Sequence, residues 1–112
     1  MKIAVPVANK RLCMHFGHCE VFAFFDVDEK EIVIRDRKEI PPPAHEPGVL
    51  PKWIKEQGAD IILAGGMGQR AQGLFNDNGV KVIVGVMENN PAQAVLNYMN
   101  GNLKAGTNAC DH

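Results

Sequence analysis

The chain has 112 residues, enough for one domain with its own core. Hydrophobic residues make up 46% and charged residues 22%, a globular balance that excludes a disordered chain. The formal net charge is -1 with Lys and Arg scattered, which argues against nucleic acid, and no segment reaches the ~18–20 apolar residues of a membrane span.

The first residues, Met1-Lys2-Ile3-Ala4-Val5-Pro6-Val7, lack the long apolar run of a signal peptide. A cytoplasmic protein is expected, in a compartment that keeps thiols reduced. Three cysteines cannot all pair within one chain, so ligation or redox chemistry is the better expectation for them.

In chain order, Ile3 to Val7 is a short apolar run ahead of Asn9-Lys10-Arg11 and reads as a buried strand. Val21 to Val27 is rich in β-formers and predicts a second strand. Asp28-Glu29-Lys30-Glu31 reads as a hairpin turn, and Ile32-Val33-Ile34 opens a third strand. Arg35, Arg37 and Lys38 lie beside acids and read as a solvated strand end. Pro41-Pro42-Pro43 stops the sheet, because proline has no N–H for a ladder.

Val49, Leu50, Trp53 and Ile54 fall at helical spacing, with Pro51 in the first turn and Gly58 as the stop. Asp60 to Ala64 predicts a fully buried strand. Gly68 to Asn78 predicts a helix with Ala71, Leu74 and Phe75 on one face, and Val80 to Val86 a further strand. Asn90-Pro91 is a cap and first-turn pair for a helix through Asn100, closed by Gly101. Residues 1–101 thus form one domain, and 102–112 an extended polar tail.

The order β-β-β-α-β-α-β-α is satisfied most simply by a five-stranded mixed sheet, spatial order 3-2-1-4-5, with only the second strand reversed and three flanking helices. That is an α/β, ribonuclease-H-like arrangement. It brings the loops at 8–19, 39–48, 65–68 and 86–90 to one sheet edge, outside the carboxyl ends of strands, where open α/β sheets bind ligands. Cys13, His15, His18 and Cys19 arrive there from one loop, His45 and Glu46 from another, and Gly65-Gly66-Met67-Gly68 from a third.

Cys13-x-His15-x-x-His18-Cys19 offers two thiolates and two imidazoles, donors suited to zinc, copper(I), iron–sulfur or mixed metal–sulfide centres. The other reading is a buried reduced cysteine beside surface histidines. Phe16 reads as a core plug, and Gly17 as the residue that lets the loop fold tightly. The proline-rich stretch 41–47 holds His45 at a fixed place or is a stiff connector. Gly65 to Gly68 offers backbone N–H groups to an anion, or is a tight turn needing positive φ; Met67 adds a thioether or simply packs. Cys110-Asp111-His112 ends the chain: a strand spans ~17–20 Å and ten extended residues reach up to ~33 Å, so the tail is long enough to return to the rim.

Met1-Lys2-Ile3-Ala4-Val5-Pro6, His15-Phe16-Gly17-His18, Gly65-Gly66-Met67-Gly68-Gln69-Arg70-Ala71 and Gly79-Val80-Lys81-Val82 together resemble the dinitrogenase iron–molybdenum cofactor-binding family. That family includes NifX, NafY, the C-terminal part of NifB and the orange protein. The resemblance runs from Met1 to about Asn100 and implies a ribonuclease-H-like fold and the binding or delivery of anionic metal–sulfur cofactors. It carries over to His15, Gly17, His18 and the Gly65–Gly68 loop, whereas Cys13, Cys19 and Cys110-Asp111-His112 go beyond the shared pattern.

The leading expectation is a carrier of an iron–molybdenum, molybdenum–copper sulfide or iron–sulfur group, with Cys13, His15, His18, Cys19, His45, Cys110 and His112 as metal ligands. It would exchange cargo with a donor or acceptor protein in metallocluster assembly, as a monomer or weak homodimer. A ribonuclease-H nuclease needs carboxylates in its sheet to hold magnesium, beginning with the first strand, and the absence of any from Lys2 to Val7 argues against that activity. A regulatory anion- or nucleotide-binding module using Gly65–Gly68, and a structural zinc or thiol-redox protein, are the alternatives.

Overall fold

The structure, a computed structural model, describes residues 1–13, 19–43 and 48–101. Its elements are β1 (Lys2–Ala8), β2 (Arg11–Leu12), β3 (Val21–Asp28), β4 (Val33–Ile40), α1 (Val49–Glu56), β5 (Ile61–Leu63), α2 (Gln69–Asp77), β6 (Lys81–Ile83) and α3 (Pro91–Asn100).

The strands form one mixed sheet in the order β4-β3-β1-β5-β6, with β2 attached to β1 off that path. The β1–β3 and β3–β4 pairs are antiparallel, while β1–β5 and β5–β6 are parallel. Among the described residues six strands are present where five are expected; the additional one is β2, inside the stretch 8–19 read as a loop. The last strand is also shorter than the apolar run Val80–Val86. Its partner β5 ends at Leu63, and Gly85 turns the chain at φ 75°.

Strand alternation sorts the core into two layers. Ala4, Phe22, Phe24, Ile62 and Ala64 share one face with Leu50 and Ile54 of α1 and Phe75 of α2. Trp53 meets the rings of Phe22 and Phe24 edge-on, at 5.8 and 5.7 Å between centroids. Ile3, Val5, Val7, Ala23, Phe25 and Leu63 form the opposite face with Ala94 and Val95 of α3. One face thus carries two helices and the other a single helix, around a sheet whose central strand β1 is buried from Ile3 to Val7.

The helices start and stop for local reasons. Pro51 is the third residue of α1, where a missing N–H costs nothing. Asn90 caps α3 by accepting from the Gln93 N–H at 3.1 Å, and Gly101 ends it at φ 74°. In the β3–β4 turn, Asp28 Oδ1 accepts from the N–H groups of Lys30 and Glu31, and its Oδ2 meets Arg35 at 2.8 Å. Edge strand β4 is exposed along most of its length and carries Arg35, Asp36, Arg37, Lys38 and Glu39 in succession.

Candidate functional site

The carboxyl end of β1 is where the sheet's pairing changes. On one edge β5 pairs only with Ile3 and Ala4, and from Val7 onward that edge is taken over by β2, with Val7 opposite Leu12 and Ala8 opposite Arg11. The turn between β1 and β2 is Asn9-Lys10, at φ 53° and 66°. Two successive left-handed residues give the tight hairpin turn whose twist matches its strands; Asn tolerates this conformation, whereas Lys strains to adopt it. The Glu20 carboxylate accepts the Asn9 N–H, and the Leu12 N–H donates to Asn89 O at 2.7 Å, tying the hairpin to the segment after β6.

The two cysteines flank this end of β1. The Cys13 N–H donates to Pro6 O on one edge, and the N–H of Glu20, the residue after Cys19, donates to Val7 O on the other, both at 2.8 Å. Successive carbonyls of a strand point to opposite sides, so the chain grips β1 from both edges. Both side chains join the α1/α2-facing core that also holds Phe22, Ile54, Met67 and Phe75. Each cysteine is 8% exposed and unoxidised, and Met67 is fully buried.

The pair is therefore together, on one face, but beneath the surface rather than on an open rim. Burial, with the neighbouring charge of Cys13 as a smaller contribution, pushes the Cys19 thiol up to about 11 against a partly opposing hydrogen bond from its own backbone. At neutral pH it is a protonated thiol that a ligand must deprotonate. The alternative of buried reduced cysteines thus describes the thiols themselves. His15, Phe16, Gly17, His18, His45, Glu46, Cys110 and His112 lie outside the described residues.

The Gly65–Gly68 loop departs from the tight-turn reading. None of Gly65, Gly66 and Gly68 has positive φ; Gly68 sits at φ -65°, ψ 154°, and a Cβ there would meet nothing within 4 Å. The loop is instead held by pairing: the Val86 N–H donates to Ala64 O, the Gly85 N–H to Gly65 O, and Gln72 Nε2 to Met67 O. Gly65, Gly66 and Met67 are buried while Gly68 is exposed. The following helix α2 has neither a side-chain cap nor an acid in its first turn, so its positive end is unneutralised among the described residues.

Two surface depressions adjoin the hairpin. One of about 340 Å³ is lined by Val7, Asn9, Lys10, Glu20, Val21 and Glu39; the other, about 370 Å³, by Lys10, Arg11, Glu88, Asn89 and Asn90. Lys10, Arg11 and Glu20, which line these depressions, were not among the site residues expected from the sequence, where Lys10 and Arg11 only marked the end of the first strand; the available signal was Asn9, a residue prone to left-handed turns.

Among the described residues no group of three or more His, Cys, Asp or Glu side chains could hold a metal, and no polar side chain is buried. The buried donors are the sulfur atoms of Cys13, Cys19 and Met67. Such a soft set suits a metal–sulfur group and not a hard cation, which takes oxygen ligands.

Fold and donors together define a small mixed α/β domain with a soft-donor pair beneath the carboxyl end of its central strand. The family model described as dinitrogenase iron-molybdenum cofactor matches residues 1–101, and the chain belongs to that family, which is of cofactor-binding rather than catalytic type. It is 32% identical over 85 residues to the uncharacterised protein MJ0580 of Methanocaldococcus jannaschii, covering 73% of this chain and 72% of that one. The crystal structure of PH0822 superposes with a TM-score of 0.85 at 30% identity, covering 94% of each chain. The apo form of the orange protein from Desulfovibrio gigas shares the fold, with a TM-score of 0.70 at 20% identity over 96% of this chain and 93% of that one.

Proposed function

We propose that the chain is a cytoplasmic carrier of an anionic metal–sulfur cofactor, of the iron–molybdenum, molybdenum–copper sulfide or iron–sulfur kind. It exchanges this cargo with a partner protein in metallocluster assembly and turns over no substrate. The observation that carries the reading is the buried pair Cys13 and Cys19 at the end of β1, in one core layer with Met67 from the loop after β5, in a chain of this family. A ribonuclease-H-like sheet would place that end at the ligand mouth of the fold.

Residues 1–101 are the cofactor-binding domain, and the tail 102–112 returns to the mouth. Cys13 and Cys19 are the inner ligands, with His15, His18, His45, Cys110 and His112 completing the set. The Gly65–Gly68 loop and the uncapped end of α2 meet the cargo's negative charge. The bound group supplies metal–sulfide chemistry for a downstream protein; this chain's residues hold it, orient it and exclude water through the apolar layer of Phe22, Ile54 and Phe75.

Anaerobic purification followed by elemental analysis and an optical spectrum tests the proposal. Stoichiometric metal and inorganic sulfide, or uptake of tetrathiomolybdate or iron and sulfide by the apo chain, is the expected result. A colourless chain that takes up none of them refutes it.

A further inference from the structure

We propose that Asn100-Gly101, at the end of α3, is a site of spontaneous deamidation, and that the fold shields the chain's other Asn-Gly pair, Asn78-Gly79, from the same reaction. Glycine makes such a pair reactive, because with no Cβ its amide nitrogen can approach the side-chain carbonyl carbon of the asparagine before it. Both pairs close a helix with the glycine left-handed, Gly79 at φ 78° and Gly101 at φ 74°. Local chemistry and conformation are thus matched, and the surroundings decide which pair reacts.

Around Asn78 the nucleophile and its target are both held. The Asn78 carboxamide donates from Nδ2 to Leu74 O at 2.8 Å, and the Gly79 N–H donates to Asn76 O at 3.0 Å. The next residues are anchored in the core: the Val80 N–H donates to Phe75 O, the Lys81 N–H to Asp60 O, and Val80 is 1% exposed. Turning the Gly79 nitrogen toward Asn78 Cγ therefore means lifting Val80 out of the α1/α2-facing layer and unpairing the start of β6. Asn100 and Gly101, by contrast, are both exposed, and a Cβ on Gly101 would meet nothing within 4 Å. Freeing the Gly101 nitrogen breaks only the closing bonds of the last turn of α3, to Tyr98 O and Asn97 O, and a helix end opens at the least cost.

The reaction balances with water as its only co-reactant. The Gly101 nitrogen gives up its proton to hydroxide and bonds to Asn100 Cγ; the carboxamide C–N bond breaks, and that nitrogen leaves as ammonia. Water then opens the resulting imide at either carbonyl, leaving aspartate or isoaspartate at position 100. Either product sets a carboxylate at the negative end of α3, where the helix dipole opposes it, and the iso form also inserts a methylene into the main chain. Helix α3, which covers its face of the sheet through Ala94 and Val95, is weakened from that end.

Incubating the full chain in mildly alkaline buffer, folded and in urea, tests this, with both pairs followed by peptide mass spectrometry and isoaspartate counted by an isoaspartyl methyltransferase. In the folded chain Asn100 converts at least ~tenfold faster than Asn78, because a helix end opens far more often than a core-anchored turn. In urea the two rates converge, since the fold alone separates them. Asn100→Gln, whose longer side chain closes the ring poorly, loses most of the isoaspartate while keeping the circular dichroism of the unmodified chain. Equal rates in the folded chain, no conversion at Asn100, a ratio that survives in urea, or isoaspartate undiminished in Asn100→Gln overturns the site.

Discussion

Deprotonation of Cys19 should cost the fold stability in alkali. Burial holds its thiol at about 11 against 9.0 for an ordinary thiol, with Cys13 as the lesser cause. The folded state then binds the proton more tightly than the unfolded chain does, so this stabilisation is complete below pH 9.0 and is lost as pH rises through about 11. At ~1.4 kcal/mol per pH unit the ceiling is ~2.7 kcal/mol. Water near the surface end of β1 screens part of it, leaving ~1–2 kcal/mol. Urea unfolding between pH 7.5 and 11.5, for the unmodified chain and for Cys19→Ala, isolates this contribution because Lys and Tyr titrate equally in both. The unmodified chain should lose ~1–2 kcal/mol more than the variant across that window. Cys13→Ala should leave most of the effect, since burial is the larger cause. A stability difference that does not change with pH would refute the reasoning.

Two further outcomes follow from backbone geometry. Lys10→Gly relieves a left-handed lysine and makes the favoured Asn-Gly turn; after the glycine's extra chain entropy it should stabilise by ~0.5 kcal/mol, read as a higher urea midpoint at unchanged slope. Asn90→Ala removes the oxygen that accepts the Gln93 N–H and should lower stability by ~1 kcal/mol, with the α3 amides exchanging faster with solvent.

The long elements were legible because their residues report a period. Val21 to Val27 is a run of β-formers, the helical faces of α1 and α2 repeat at three and four, and Asn90-Pro91 with Gly101 brackets α3. The hairpin strand β2 was not, because two residues contain no alternation to read. The strand expected over Val80 to Val86 ends at Ile83, since an apolar run says that residues are buried but not where their partner strand stops. At the site, sequence spacing carried Cys13 and Cys19 to the same end of the sheet. It held no information on depth: whether a thiol faces water or hydrocarbon depends on Phe22, Leu50, Ile54 and Phe75, which arrive from elsewhere in the chain. The glycines after β5 suggested a positive-φ turn that Gly65, Gly66 and Gly68 do not adopt; Ala64 O and Gly65 O instead accept from the Val86 and Gly85 N–H groups.

The outermost strand of the sheet, β4, has a consequence for how the molecule behaves in a crowd. Among the described residues no strand pairs with its outer side, which offers a row of backbone groups eight residues long, the kind of template on which stray strands polymerise. Any newcomer would have to strip water from five consecutive ionic side chains, Arg35 through Glu39, before its first amide could pair. That toll falls on fibril growth and on no step of folding, because the inner side of β4 is already zipped to β3.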